Sequence, residues 1–95
     1  MNLGKTIKRL RNKAGLHQKE LAICIEVTQG YISQVERGEK NPSMALLKRI
    51  ASLFNTSVFV LLFLSMEEED VLPERRALFH HFYPQVAAFI EPDLG

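Results

Sequence analysis

The sequence predicts an all-α protein, with a five-helix domain over residues 1–65 and a short helical extension over residues 66–95. Three observations predict it. Apolar residues recur every three or four positions in successive segments. Residues with the chemistry of helix caps and helix stops punctuate those segments. Only one stretch, Ser57–Leu64, reads as well as a buried strand, and no second strand exists to pair with it.

The first segment spaces Leu3, Ile7, Leu10 and Ala14 as one helical face, with Lys5, Lys8, Arg9, Arg11 and Lys13 between them. Gly15 is its expected stop. A second helix is expected from about Gln18 to Ile25, where Glu20 at the third position can reach back to unsatisfied backbone N–H groups. His17 is a poor cap by propensity. Thr28 opens a third helix that runs to Arg37 and stops at Gly38. A polar loop follows to Pro42. Ser43 then caps a fourth helix with Met44, Leu47, Ile50, Ala51 and Phe54 on one face. Ser57–Leu64 is assigned to a fifth helix. Met66–Asp70 reads as an acidic hinge or a frayed helix end. Beyond Pro73, apolar residues recur at helical spacing from Leu78 to Ile90, and Pro84 among them predicts two short helices or one kinked helix.

The net charge of +1 conceals an asymmetry. Residues 1–66 carry ten Lys/Arg and four Asp/Glu, a balance of +6, whereas residues 67–95 carry two Arg and seven Asp/Glu, a balance of −5. A basic first part suits a polyanion and an acidic tail does not. Cys24 is the only cysteine, which excludes an intramolecular disulfide and a Cys-based zinc site. His80 and His81 are adjacent and point in different directions on a helix, so surface or interface roles are expected rather than metal or cofactor binding. The longest apolar run, Val58–Leu64, is seven residues, against roughly 20 for a bilayer span. The N-terminus lacks the apolar run of a signal peptide. A soluble, cytoplasmic protein without membrane partners is expected.

The functional signal lies in Gln18–Arg37. Two short helices separated by about four residues must cross steeply. Leu21, Ala22 and Ile25 face inward from one, Ile32 and Val35 from the other, and Val27 plugs the turn. Ala22 is small where the backbones should come nearest. This is the pattern of a helix-turn-helix. The outward face of the second helix is Gln29, Gly30, Ser33, Gln34 and Arg37. A glutamine amide on that face can bond adenine N6 and N7 together in the major groove. A lone polar stripe is usually only solvated, but this one sits on the helix that the geometry presents outward, beside basic surface.

Over Leu16–Ser43 the chain resembles the Xre/lambda-repressor-like helix-turn-helix family. The residues that carry the resemblance are Gln18, Glu20-Leu21-Ala22, Val27, Tyr31-Ile32-Ser33, Glu36-Arg37-Gly38 and Asn41-Pro42-Ser43. With the flanking helices it covers roughly residues 3–64. The resemblance implies a five-helix lambda-repressor-like fold, a homodimer and a palindromic double-stranded DNA operator. It places Gln29, Gly30, Ser33 and Gln34 at base-reading positions. It places His17, Gln18, Thr28, Tyr31, Arg37, Lys40 and Asn41 along the DNA backbone. It sets Arg11 against Glu36 as an ion pair between the first and third helices.

The chain departs from the family pattern at four places. Glu26 stands where the turn usually has glycine, so left-handed strain or a different turn is expected. His17 replaces a hydroxyl or amide cap. Gly30 leaves a base-reading slot empty. Phe59 and Val60 replace acidic residues at the start of the fifth helix, which makes that helix apolar all round and in need of cover. The tail supplies a stripe of Leu78, Phe79, Phe82, Val86 and Phe89. With Phe59, Val60 and Phe63 it is the expected dimer interface. An enzyme is not expected, because no paired carboxylates, activated nucleophile or phosphate loop is present. The rival reading is a protein-interaction module of antitoxin type, whose tail binds a protein partner.

Overall fold

The computed structural model describes residues 1–92, and the described residues form six α-helices with two 3₁₀ turns. The helices are α1 (Leu3–Lys13), α2 (Gln18–Cys24), α3 (Gln29–Glu36), α4 (Met44–Leu53), α5 (Val58–Leu64) and α6 (Arg76–Ile90). The 3₁₀ turns cover Glu68–Asp70 and Pro73–Arg75. The chain packs as two compact units. One is residues 2–65; the other is residues 66 onward together with Met1.

Polar caps start the helices of the first unit. Asn2 Oδ1 accepts from Lys5 N at 3.0 Å, and Thr28 Oγ1 accepts from Tyr31 N at 3.0 Å. Ser43 and Ser57 do the same for α4 and α5, each at 3.2 Å. At α2 the cap is reversed, because Glu20 Oε1 accepts from the His17 backbone N–H at 2.9 Å. Each such cap contributes about 1 kcal/mol.

One stop motif ends α1 through α4. A residue in the left-handed region follows each helix: Gly15 (φ 73), Glu26 (φ 60), Gly38 (φ 79) and Asn55 (φ 55). The next amide then returns to a carbonyl in the last turn. These bonds are Leu16 N to Arg11 O, Val27 N to Ala22 O, Glu39 N to Gln34 O and Thr56 N to Ala51 O. That is the Schellman arrangement. Glycine and asparagine take this conformation at little cost. Glu26 does not, and the turn keeps its geometry by bearing left-handed strain of roughly 1–2 kcal/mol.

Inside the unit, Ile7, Leu21, Ile25, Ile32, Ile50 and Leu61 are almost wholly buried, with Val35, Leu47 and Ala51 beside them. Burying each large aliphatic side chain stabilises the fold by about 1.5–3 kcal/mol. Ser57–Leu64 is a helix rather than a strand. Leu61 points into the core and Phe59 points out. A hydroxyl pair closes the unit: Ser65 Oγ donates to the Leu61 carbonyl at 2.6 Å and lies 2.9 Å from Thr6 Oγ1, while Asn2 N donates to Ser65 O at 2.8 Å.

In the second unit, α6 runs as one fifteen-residue helix through Pro84, where two short helices or a kink are expected from the sequence. Proline fixes a helical φ and removes one donor. The surrounding turn has other support: Phe79 packs on Tyr83 with ring centroids 4.9 Å apart, and Gln85 Nε2 donates to the His81 carbonyl at 3.0 Å. Arg76 Nε donates to Glu68 O at 3.0 Å and His80 Nε2 lies 2.8 Å from Glu68 Oε2, so the 3₁₀ turn and α6 are joined. Among the described residues no single helix is long and apolar enough to cross a membrane.

A glycine lies where α1 crosses α3. A Cβ built on Gly4 would stand 2.1 Å from the Val35 carbonyl oxygen and 2.9 Å from that of Glu36. Both are backbone atoms of α3, so α1 lies directly against the helix that carries the outward polar stripe. Gly4→Ala is expected to destabilise the protein by at least about 1–3 kcal/mol, the range for overpacking, despite alanine's higher helix propensity. Urea unfolding checks this, and an unchanged midpoint contradicts the crossing.

Candidate nucleic-acid interface

The candidate recognition surface lies on α3, and side chains of α1 and α2 fix how α3 is held. Glu36, on its last turn, is the point where they meet. Arg11 on α1 donates from Nε to Glu36 Oε2 at 2.7 Å and from Nη2 to Oε1 at 3.0 Å. This is a bidentate, charge-assisted pair. The Arg11 and Glu36 side chains are 9% and 2% exposed, so the pair is shielded from water. Arg11 Nη1 also donates to Leu16 O at 2.8 Å, in the link between α1 and α2. Gln18, the first residue of α2, donates from Nε2 to Glu36 Oε1 at 3.0 Å. From the other side, Arg49 on α4 donates to the Ile25 carbonyl at 3.3 Å, where α2 ends.

With α3 held this way, Ile32 and Val35 point into the core and the opposite face is open. Gln29 and Gly30 are exposed, and Ser33 and Gln34 are half-buried on the same side. These four positions therefore lie together. Gly30 has no packing reason to be glycine, since a Cβ there would meet nothing nearer than Thr28 Oγ1 at 4.0 Å. The space in front of it is free for a partner to approach the backbone.

The residues assigned by resemblance to a DNA backbone contact divide into two groups. Lys40 and Asn41 are exposed on the loop after α3, and His17 is exposed before α2. Others already hold internal bonds. Gln18 is turned to Glu36, Thr28 caps α3, and Tyr31 packs half-buried against the core. Arg37, the residue at which α3 ends, is exposed, but its guanidinium is engaged. Nε donates to Glu39 Oε1 at 3.1 Å, Nη2 donates to Glu39 Oε2 at 2.9 Å, and Nη1 donates to Ser33 Oγ. The hydrogen-bonded Arg37 guanidinium holds the Glu39 carboxyl below its ordinary range, and the Glu39 carboxylate in turn raises Arg37. Neither Glu39 nor Gly4 stands out in the sequence. Their roles depend on chain reversals and helix crossings that spacing within one helix does not express.

The residues expected at a dimer interface lie on two elements. On α5, Phe59 is 86% exposed, while Val60 and Phe63 are half-buried. On α6, Leu78, Phe82, Val86 and Phe89 are exposed and Phe79 is half-buried. Among the described residues no group of three or more His, Cys, Asp or Glu side chains is placed to hold a metal ion.

Comparison with known proteins agrees with this geometry. The family described as Helix-turn-helix matches residues 7–61. The HTH-type transcriptional regulator DdrOP3 of Deinococcus deserti is 36% identical over 62 residues, 65% of this chain and 48% of its own length. The HTH-type transcriptional regulator ImmR of Bacillus subtilis is 37% identical over 62 residues, 65% of this chain and 49% of its own. The chain thus spans about half the length of these relatives. The ImmF control region 10 kDa protein of Bacillus phage phi105 is 38% identical over 72 residues, covering 76% of this chain and 77% of that protein. Among solved structures, the clp gene regulator ClgR from Corynebacterium glutamicum superposes with a TM-score of 0.64 at 27% identity, over 96% of this chain and 92% of that one. That likeness extends past Ser65 into the second unit. The family is one of regulators, not enzymes. The chain belongs to the helix-turn-helix family, of Xre/lambda-repressor-like type, and the relatives it matches carry the names of transcriptional regulators.

Proposed function

We propose that the chain is a homodimeric, sequence-specific repressor that inserts α3 into the major groove of a palindromic operator. The observation that carries this reading is the face of α3. Gln29, Ser33 and Gln34 stand on one side of a helix whose other side is locked into the core, with open space before Gly30. Such a helix presents amides and a hydroxyl at a fixed angle, which is what reading base edges requires. Lys40, Asn41 and the N-terminus of α2 at His17 flank this face and are assigned to the phosphates. Thr28 and Tyr31 contribute by fixing the start of α3, with any phosphate contact made by their backbone. Relatives that carry regulator and repressor names, including the Immunity repressor protein of Bacillus phage phi105, favour DNA over a protein partner as the main target.

Dimerisation follows from exposed apolar surface. Phe59 on α5 and Leu78, Phe82, Val86 and Phe89 on α6 are large apolar side chains left in water, which a second copy of the chain would cover. Two-fold pairing through these residues, with Val60, Phe63 and Phe79 at its edge, covers that area. It also allows two α3 helices to lie ~34 Å apart, one turn of DNA.

Two outcomes are expected. Gln29→Ala and Gln34→Ala each weaken binding to a duplex selected from random sequence by about 1–3 kcal/mol and relax preference at one or two base pairs. Reselection from random duplexes with each variant reads this out. Equal weakening on every duplex assigns both glutamines to the backbone instead. Light scattering at micromolar concentration is expected to give twice the chain mass for the parent, and Phe59→Glu to shift it toward monomer. A monomeric parent chain contradicts the dimer.

A further inference from the structure

The recognition surface contains one acidic side chain that repels phosphate and yet is tied to its most versatile donor. We propose that Glu39 is a specificity-determining positioning residue, holding Arg37 beside Ser33 so that the guanidinium reads a guanine edge rather than clamping a phosphate. The proposal rests on the DNA-binding reading above.

The fold places Glu39. Gly38 takes the left-handed conformation after α3, and Glu39 N returns to the Gln34 carbonyl at 2.9 Å, with Lys40 N at 3.4 Å from the same oxygen. This reversal sets the Glu39 carboxylate against the side edge of the Arg37 guanidinium, two residues earlier. Both carboxylate oxygens are used, at 3.1 and 2.9 Å. The remaining nitrogen, Nη1, is bonded to Ser33, one helical turn back on the base-facing stripe.

The donor arithmetic then distinguishes the two uses of an arginine. A guanidinium has five N–H donors. Glu39 takes two and Ser33 takes one, which leaves two. The two that remain are one on Nη1 and one on Nη2, and a bidentate contact to guanine O6 and N7 takes one from each. A phosphate clamp needs net positive charge and tolerates a mobile side chain, because its contribution is counterion release. Here the carboxylate offsets the charge and the three bonds restrict the motion. Both features weaken a phosphate grip, and both favour a fixed, planar, bidentate contact.

The test uses the full chain, a duplex selected by it from random sequence, and a scrambled duplex of the same composition. Dissociation constants are measured over a range of salt for the parent, Glu39→Gln, Glu39→Asp, Arg37→Ala and the Arg37→Ala/Glu39→Gln double variant. Glu39→Gln is expected to tighten binding to the scrambled duplex and to steepen its salt dependence by about one phosphate contact. The ratio of selected to scrambled affinity is expected to fall about fivefold or more, with the loss at a guanine position. Glu39→Asp keeps the charge but is one methylene short of both bonds, and is expected to lose the ratio as well. In the Arg37→Ala background Glu39→Gln is expected to leave the ratio unchanged. If Glu39→Asp keeps the parent ratio and Glu39→Gln tightens both duplexes equally, Glu39 acts only as a charge and the proposal is overturned. If Arg37→Ala weakens both duplexes equally, Arg37 is a phosphate clamp and the proposal fails while the DNA-binding reading stands. A parent chain with no salt-dependent affinity for any duplex overturns that reading and this proposal with it.

Discussion

The Glu36 carboxylate is the constraint on which the geometry of α3 depends. It sits on the last turn of α3 and is almost fully shielded from water. Both of its oxygens accept from Arg11 of α1, and Oε1 also accepts from Gln18 of α2. Three helices are therefore registered on one side chain. A buried ion pair is a poor source of net stability, because removing two charges from water is costly and the attraction only offsets it. Its value here is angular. Leucine and isoleucine contacts tolerate small rotations of one helix on another, whereas a bidentate guanidinium–carboxylate pair does not. Gly4 adds the second restriction by letting α1 lie against the α3 backbone at Val35 and Glu36. The ion pair fixes direction, the glycine fixes distance, and the outward face of α3 follows from both.

The same arrangement explains how one short helix serves two demands. Residues 32 and 35 are committed to the core, so only the opposite face of α3 is available for a partner. The available positions carry side chains of modest charge. The two ionic groups at the end of α3 are each neutralised within the protein, Glu36 by Arg11 and Arg37 by Glu39. The basic character of residues 1–66 therefore comes from lysines and arginines outside the outward polar stripe of α3. In the proposed function, general attraction to a polyanion and discrimination among base pairs therefore fall to different residues.

Much of the fold was legible in the sequence because it is local. The caps Thr28 and Ser43, the stops Gly15 and Gly38, and the inward positions Leu21, Ile32 and Val35 are set by spacing and backbone chemistry within single helices. Glu26 was legible as a departure, and its φ of 60 shows that the turn holds its shape and bears the strain. What could not be read depends on packing between elements. Gly4 looks like an ordinary glycine in a helix until α3 is laid across it. Gln18 looks like a residue free to meet a phosphate until Glu36 is placed beside it. Glu39 gains its role from the chain reversal at Gly38. Pro84 predicts two short helices or one kinked helix; α6 is one helix through it, its flanking turn supported by the Phe79–Tyr83 contact and the Gln85 side chain.

The Glu36 pair orients α3, and a double-mutant cycle on Arg11→Ala and Glu36→Ala tests this most directly. Urea unfolding gives the stability of each variant, and affinity for the selected duplex is measured under conditions where each is folded. Each single substitution is expected to cost roughly 3–5 kcal/mol, since it leaves a buried partner uncompensated. The double substitution is expected to cost far less than the sum, and all three are expected to weaken discrimination between selected and scrambled duplexes. Additive costs of about 1 kcal/mol or less, the behaviour of an exposed pair, with unchanged discrimination would contradict the account.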